Sequence, residues 1–376
     1  MTLLTKVVRV GKPDVSGYQR TIPCTNPNLV IGLELETENC QYKVAGTWVE
    51  GAASRNFRVE RDGSLRGVAY EFISQPMRSE HALAALQDFL AWGEFTPENY
   101  TDRTSVHVHV NCTDMELEQI SSLALLYTVA EEILFEFVGG HRESNIYCIP
   151  WSHCRAHYDL VQNFLANPTG QLKKWNKYTA LNLIPLASYG TVEFRQMHGT
   201  ADFPKLERWI NMIGSLVAMA KATPLEGLVE EIKTLNTTSQ YDAFFQRMFN
   251  GTLTYDDRYR QRLEEGVIFA KYSLITMGRA KRKAAAPTPM DDAEFDRMLG
   301  RLGDMPVREA APRPTIRPTE AQMQQAAIQQ AMDNLRRQYV HIDLMNTQQV
   351  ATTGIAQAPA ALRGVEPAAW RAPNLH

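Results

Sequence analysis

Several segments of this chain alternate polar and apolar residues with the period of two that is typical of a β-strand. In Thr191-Val-Glu-Phe-Arg195 the alternation places Glu193 and Arg195 on one face and the apolar residues on the other. Three more predicted strands carry acids or imidazoles on one face, at Glu34, Glu36 and Glu38, at Glu71, and at His107 and His109. Carboxylates and imidazoles are ligand types for divalent metal ions.

Each of these patterns also has an ordinary structural interpretation. A Glu-x-Arg pair on a strand is commonly a surface ion pair, and strand histidines are more often hydrogen-bonded core residues than ligands. The three glutamates Glu34, Glu36 and Glu38 would suit the solvated face of an edge strand. Arg142, in a predicted loop, is as consistent with a solvent-exposed side chain as with a phosphate contact. Recurrence in several segments favours one shared site, because carboxylates crowded on a strand face repel each other unless a cation compensates.

The economical arrangement is an α+β fold with one curved, mainly antiparallel β-sheet. Its concave face would collect the polar groups, and helices would pack on the other face. Several carboxylates with one imidazole favour Mg²⁺ or Mn²⁺, and the near absence of cysteine ligands disfavours zinc. Arginines beside them would suit an anionic substrate or a transferring phosphoryl group. The chain has no Gly-x-x-x-x-Gly-Lys-[Ser/Thr] or Gly-x-Gly-x-x-Gly motif, so nucleotide binding would be mediated by metal.

The elements that position these residues follow from hydrophobic periodicity and turn signals. Strands are predicted over residues 29–38, 57–65, 69–77 and 104–111, with Asp62-Gly63 as a hairpin turn, and two strands joined by a turn lie within 178–200. Ser79 is predicted to cap a helix over 79–92, whose buried stripe is Leu83, Leu86, Phe89 and Leu90. Further helices are predicted over 115–137, 155–174, 205–222, 225–234, 239–250 and 257–279.

Composition divides the chain into a main domain and a tail. Residues 1–28 form a polar, turn-rich leader, and residues 29–278 form the domain that carries the polar strand positions. Residues 279–318 are predicted to be a Pro/Ala/Arg-rich linker with a short helix, residues 319–345 a Gln/Ala-rich helix, and residues 346–376 a disordered tail.

The overall composition limits the classes of partner. The formal net charge is -3, so no general polyanion-binding surface is predicted, and we expect no nucleic-acid partner. No apolar run reaches the ~18 residues of a membrane span, and the first residues lack the apolar core of a signal peptide. The five cysteines are scattered without a Cys-x-x-Cys pair, which is typical of reduced thiols. We therefore expect a cytoplasmic protein with no membrane partner.

Ordered motifs over residues 30–200 resemble the amidoligase family, one of the glutamine synthetase-like carboxylate–amine ligases, a group that also includes glutamate–cysteine ligase. The motifs are Gly32-Leu-Glu-Leu-Glu36; Asp62-Gly-Ser-Leu65 with Tyr70-Glu-Phe-Ile-Ser74; Val106-His-Val-His109; Arg142 with Tyr147-Cys-Ile-Pro150; Leu181-Asn182; and Thr191-Val-Glu-Phe-Arg195 with Gly199-Thr200. The resemblance covers about residues 28–275 and implies a glutamine synthetase-like catalytic fold over the domain 29–278.

The resemblance implies ATP-dependent amide formation through an acyl phosphate, with ATP and Mg²⁺ (or Mn²⁺) as cofactors. The substrates would be an amine and a small-molecule or peptide carboxylate, such as that of an amino acid. One cation would be held by Glu36 and Glu71, and a second by Glu34, His107 and Glu193. His109 and Arg195 would lie near the nucleotide, as would Ser105, which stands where glycine is common in the family. Arg195 and Arg142 would stabilise the transferring phosphoryl group, and Asp62 would shape the site with Ser64 or position the amine.

Two other classes of function fit parts of the same sequence. A non-catalytic structural or assembly protein, for example a viral one, would use the fold as a scaffold and bind a partner through the C-terminal helix. A metal-dependent hydrolase could use the same acidic face, and dependence on ATP separates it from a ligase. In either case the C-terminal tail is a candidate for binding a protein partner or for self-association.

Overall fold

A computed structural model of the protein describes residues 2–8, 10–39, 56–60, 63–154, 164–165, 167–173 and 175–285. Predictions that concern other residues lie outside the described part of the chain. They include Asp62, most of the helix predicted over 155–174, and the short helix, Gln/Ala-rich helix and disordered tail predicted after residue 285. The predicted domain boundaries stay predictions.

An antiparallel sheet of seven strands forms the centre of the described structure. The strands pair in the order β2-β3-β1-β5-β7-β6, and β4 pairs with β1 beside β3. Their bounds are β1 Val30–Thr37, β2 Phe57–Glu60, β3 Tyr70–Ser74, β4 Met77–Arg78, β5 Ser105–Asn111, β6 Leu181–Asn182 and β7 Thr191–His198. With the helices below, this arrangement confirms the predicted α+β class and the mainly antiparallel sheet.

The apolar side chains of the alternating strands lie in a core shared with the helices. Leu33, Leu35, Val108 and Phe194 are no more than 1 % exposed, and the buried stripe predicted for the first helix is part of the same core. The helices are α1 Ser79–Gly93, α2 Leu117–Val138, α3 Pro168–Leu172, α4 Pro185–Ser188, α5 Phe203–Ala222, α6 Leu225–Thr234, α7 Thr238–Phe249 and α8 Asp257–Ala285. Burial of this one face leaves the polar positions of the strands on the opposite face.

Three local predictions differ from the structure. Ser79 is the first residue of α1 and not its cap, since the extended residue Arg78 is the N-cap and the Ser79 hydroxyl donates to the Asn26 carbonyl. The segment 178–200 does not contain a simple turn, because Pro185 starts the one-turn helix α4 between its two strands. The last helix continues to Ala285, six residues beyond its predicted end at residue 279.

The described helices and cysteines relate to two expectations from composition, the lack of a membrane span and the reduced state of the thiols. No single helix among the described residues is long and apolar enough to cross a membrane, although Phe203–Ala222 and Leu225–Thr234, bent by 109°, pass that test as a pair. The four described cysteines, Cys24, Cys112, Cys148 and Cys154, are free thiols that are buried or half-buried.

Candidate active site

The strand register brings the predicted site residues onto one face of the sheet. Glu36 lies opposite Glu71 across β1 and β3, and Glu34 lies opposite His107 across β1 and β5. His109 lies opposite Glu193 across β5 and β7. Because directly opposed residues point to the same side, the three pairs form one continuous polar surface over four strands.

One group of potential metal ligands consists of Glu34, His107 and Glu193, which offer ligand atoms within 4.8 Å of one another. The Nδ1 atom of His107 is 3.2 Å from Glu34 Oε2 and 3.3 Å from Glu193 Oε1. His107 and Glu193 are 2 % and 4 % exposed, whereas Glu34 is half-buried. Two carboxylates therefore converge on the same nitrogen of one buried imidazole.

A second group consists of Glu36, Glu71 and the same His107, again with ligand atoms within 4.8 Å of one another. The Nε2 atom of His107 is 3.8 Å from Glu36 Oε1. The Ser105 hydroxyl donates to Glu36 Oε2 at 2.6 Å and lies 2.8 Å from His107 Nε2. The two groups are thus adjacent and share one histidine, with Glu34 and Glu193 on one side of the ring and Glu36 and Glu71 on the other.

Ser105 determines that Nε2 of His107 carries a proton. An ionised carboxylate can only accept, so the Ser105 hydroxyl gives its one hydrogen to Glu36. The hydroxyl must then accept from His107, so Nε2 is protonated. Nδ1 donates to Glu34 when no cation is bound, and it is the nitrogen that could exchange its proton for a cation on the side of Glu34 and Glu193. Hydrogen bonds of this kind commonly orient metal-binding histidines.

The charges in the site stabilise one another. Burial on its own would raise the pKa of Glu34, but the charge of His109 and hydrogen bonds from His107 and His109 hold it well below its usual value. Burial likewise opposes ionisation of Glu193, yet Arg195 and the two histidines lower its pKa. Burial opposes protonation of His109, but the neighbouring Glu34 raises its pKa. A cation that bound here would replace histidine protons as the compensating charge, and proton release would accompany binding.

His109 lies beside the first group of ligands. Its Nε2 atom is 3.2 Å from Glu34 Oε1, and its Nδ1 atom is 3.0 Å from the Thr191 hydroxyl. His109 is 5 % exposed. It is therefore held in the site by contacts at both ring nitrogens, and its contact with a nucleotide stays a prediction.

Arg195 brings a guanidinium group to the edge of the acidic surface. Its Nη1 atom forms an ion pair with Glu193 Oε1, and its Nε atom donates to the Tyr147 carbonyl at 3.3 Å. Burial would lower the pKa of Arg195, but Glu193 and the acids of both ligand groups raise it. The guanidinium is therefore charged, and its side chain remains 15 % exposed.

Arg142 is neither a solvent-exposed loop side chain nor a direct neighbour of the carboxylates. It lies in a short 3₁₀-helix, Gly140–Ser144, and is 1 % exposed. Its Nε donates to the Gln196 carbonyl at 3.0 Å and its Nη2 to the Arg195 carbonyl at 2.9 Å. The predicted contact between Arg142 and a phosphoryl group stays a prediction, while its observed contacts are with the backbone that carries Arg195.

Two polar partners in the site had no role in the sequence prediction. Asn182 donates to Glu193 Oε2 at 2.7 Å, and the Thr191 hydroxyl contacts His109 as described above. Thr191 could have been found, because it lies two residues before Glu193 on the same strand face. The contact of Asn182 with Glu193 could not be predicted in this way, because it depends on the register of β6 against β7.

Glu38 and the turn after β2 lie next to the ligand groups. The Glu38 carboxylate accepts from the Arg66 backbone at 2.6 Å and from the Thr101 hydroxyl at 2.8 Å, so Glu38 is outside both groups. The Ser64 carbonyl accepts from Arg103 at 2.7 Å. The Arg66 bond joins the loop that follows β2 to the end of β1, and the Arg103 bond joins the same loop to the segment before β5. Asp62 lies outside the described residues.

Comparison with known proteins adds one positive finding. The model of a family described as "Putative amidoligase enzyme" matches residues 34–217, a segment that contains both ligand groups, Arg142 and Arg195. No curated protein matches the chain. The match begins at the first glutamate of the acidic surface and ends within α5. Together with the antiparallel sheet and the shared polar face, the match supports a similarity of residues 34–217 to the amidoligase family.

Proposed function

We propose that this protein is an ATP- and Mg²⁺-dependent carboxylate–amine ligase that forms an amide bond. The observation that carries the proposal is the pair of adjacent ligand groups, which share His107 and lie beside the charged Arg195. Two cation positions next to a guanidinium suit a substrate that carries several phosphate charges, because each group neutralises part of the charge.

The residues present fit a hard divalent cation. Four carboxylates and one imidazole make up the two groups, and no cysteine belongs to either of them. Glu34, Glu193 and Nδ1 of His107 would hold one cation, and Glu36 with Glu71 would hold the other. Bound Mg²⁺ or Mn²⁺ would neutralise phosphate charge and polarise the phosphoryl oxygens.

The proposed reaction has two steps. A carboxylate oxygen of the acceptor attacks the γ-phosphorus of ATP, and the bond to the β–γ bridging oxygen breaks, so ADP leaves. The amine then attacks the carbonyl carbon of the acyl phosphate, loses a proton, and displaces inorganic phosphate. In this proposal Arg195, which is paired with Glu193, attracts the phosphoryl oxygens, and His109, which contacts Glu34, binds the nucleotide.

The proposed chemical class of the substrates is supported by the family resemblance and not by a pocket in the described residues. We propose an amino-acid or peptide carboxylate as acceptor and an amine as the second substrate, with a cytoplasmic location in keeping with the free thiols. Self-association or partner binding through residues 319–345 remains part of the proposal.

Isothermal calorimetry tests the nucleotide site first. ATP is titrated into the wild-type protein with and without Mg²⁺, and then into Glu193→Ala. We expect binding that requires Mg²⁺ and that the variant weakens at least tenfold, because Glu193 is a ligand in one group and holds Arg195. Circular dichroism checks that the variant is folded, and bound protein is then screened for ADP release with mixtures of acids and amines.

Glu230→Ala is the matched control, since it removes a carboxylate that is 70 % exposed on α6 and contacts only Lys233 among the described ion pairs. Its affinity should equal that of the wild type. No ATP binding by the wild-type protein under either condition would contradict the proposal and favour the non-catalytic alternative. ATP-independent hydrolysis of an ester or amide would favour the hydrolase.

A further inference from the structure

Strand β7 contains a bulge at the residue that carries the site's guanidinium group. Val106 pairs with Met197 and Val108 with Phe194, so two steps along β5 correspond to three along β7. The additional residue lies in the pair Arg195-Gln196, between those two pairings. A bulge re-aims side chains and removes backbone groups from the ladder, so these groups need other partners.

Arg142 provides partners for the bulge. Its guanidinium donates to the carbonyls of both Arg195 and Gln196, at 2.9 and 3.0 Å, and is 1 % exposed. The planar guanidinium fixes two successive carbonyls in one geometry, which the point charge of a lysine could not do. Arg142 therefore holds the backbone of Arg195 from a buried position.

A buried chain of hydrogen bonds continues from the bulge into α2. The Gln196 side chain, which is fully buried, donates to the Tyr127 hydroxyl at 2.8 Å. Tyr127 donates to Glu131 Oε1 at 2.9 Å, and both residues lie on α2. The Glu131 carboxylate also accepts the backbone N–H groups of Trp151 at 2.7 Å and Ser152 at 3.2 Å.

The segment between α2 and α3, residues 139–167, connects Glu131 with Arg195. This segment carries Arg142, Tyr147, Trp151 and Ser152, and Glu131 fixes its later part. The Tyr147 carbonyl accepts from Arg195 Nε. Both the backbone and the side chain of Arg195 thus contact one segment. That segment bonds to Glu131 and the bulge bonds to Tyr127, two side chains of α2 that are hydrogen-bonded to each other.

We propose that Arg142, Gln196, Tyr127 and Glu131 form a buried positioning network that aims the Arg195 guanidinium at the phosphate of the bound nucleotide. These four residues act through Arg195 and do not touch the substrate. The inference rests on the proposed function, because it assigns the anion contact of that site to Arg195. It differs from the sequence prediction for Arg142, which placed that guanidinium on the phosphoryl group.

A double-mutant cycle separates positioning from general stability. The affinity for ATP in the presence of Mg²⁺ is measured for wild type, Tyr127→Phe, Arg195→Ala and the double variant. Tyr127→Phe removes only the hydroxyl that joins Gln196 to Glu131, and we expect about tenfold weaker binding. In the Arg195→Ala background the same change should alter the affinity less than twofold, because the group that it positions is absent.

Ser122→Ala is the matched control, since it also removes a buried hydroxyl from α2, one that contacts the Thr223 carbonyl away from the network. Its affinity should equal that of the wild type. Arg142→Lys provides a second variant if Tyr127→Phe does not fold, and it should show the same dependence on Arg195. Equal effects of Tyr127→Phe with and without Arg195, or no effect at all, would overturn the positioning role.

Hydrogen exchange of the peptide that covers β7 distinguishes the two proposals. It needs no nucleotide, and exchange at residues 191–198 should be faster in Tyr127→Phe than in wild type. If the wild-type protein does not bind ATP, the proposed function is refuted, and with it the contact between Arg195 and phosphate. Faster exchange in Tyr127→Phe would still show, in that case, that the network holds β7. Unchanged exchange together with additive binding effects would refute the network alone.

Discussion

The carboxyl group of Glu131 makes the stability of the protein depend on pH in a way that one substitution can isolate. Glu131 is 2 % exposed in the middle of α2. Burial raises its pKa to about 7, although hydrogen bonds from Trp151, Ser152 and Tyr127 oppose the rise. The folded protein therefore binds a proton at this site more tightly than the unfolded chain does. The substitution Glu131→Gln keeps the shape of the side chain and removes the titration.

The size of the effect follows from the two pKa values. A carboxyl with a pKa of 4.5 in the unfolded chain and about 7 in the folded protein stabilises the fold at low pH. This contribution to the free energy of unfolding is lost as the pH rises through about 7. Between pH 5 and pH 8 the loss amounts to about 2 to 3 kcal/mol. Glutamine shows no such loss, so the difference between wild type and variant should change by that amount.

Urea unfolding followed by circular dichroism at half-unit steps from pH 5 to pH 8 measures the difference. We expect Glu131→Gln to be less stable than wild type at pH 5, because its amide NH₂ faces backbone donors that need an acceptor. The gap in the free energy of unfolding should narrow by about 2 to 3 kcal/mol towards pH 8. Glu118→Gln, an exposed position on the same helix, is the control and should stay parallel to wild type.

Other titrating groups near Glu131 are common to both proteins, and the phenol and thiols among them stay protonated from pH 5 to pH 8 because their pKa values are raised. Tyr127, whose pKa is raised well above its usual value, Glu132, Cys148 and Cys154 lie in its electrostatic surroundings. The prediction fails if the two stability curves remain parallel over the whole range. It also fails if the gap widens with pH, since that would mean that the folded protein favours the ionised carboxylate.

Two further predictions concern the ligand groups. Electron paramagnetic resonance titration should find two Mn²⁺ ions per chain in the wild-type protein. Glu71→Gln and Glu34→Gln should each bind one ion, and the double variant should bind none. Two ions in either single variant would refute the assignment of Glu71 and Glu34 to separate cation sites. Ser105→Gly introduces the residue common in the family and removes the hydrogen bond that keeps the proton on His107 Nε2. The affinity for Mn²⁺ at the Glu34 group should fall about tenfold. An unchanged affinity would contradict the assigned protonation of Nε2.

The common polar face of the strands could be predicted from sequence because it depends on one local rule. Alternation with a period of two fixes the face of each strand, and burial of the apolar positions fixes which face meets the helices. Glu34 and Glu36 in β1 and His107 in β5 therefore fell on the predicted side without knowledge of the pairing. Their assignment to two cations came from the family resemblance and stays a prediction; by distance, Glu34, His107 and Glu193 form one group and Glu36, Glu71 and His107 the other.

Features that depend on pairing between strands could not be predicted in this way. The bulge at Arg195-Gln196 becomes visible only when β7 is aligned with β5. Arg142 was assigned from sequence to a loop with no indication that it would bind two backbone carbonyls. Glu131 gave a weak signal, because a carboxylate within an apolar helix must find donors if it is buried. The first of those donors, the backbone N–H of Trp151, lies 20 residues further along the chain. Helical periodicity relates only residues within one helix, so it gives no information about this contact.

The ion pair between Arg195 and Glu193 explains why a buried network should be needed at all. Glu193 Oε1 faces both Arg195 and Nδ1 of His107, so a cation bound at that group would compete with the guanidinium for the same oxygen. Asn182 holds the other oxygen of Glu193 and limits how far the carboxylate can turn. Arg195 therefore cannot depend on Glu193 alone for its position once a cation is bound. The contacts with Tyr147 and Arg142 do not involve the ligand carboxylates, so they can keep the guanidinium directed at the nucleotide in the metal-bound protein.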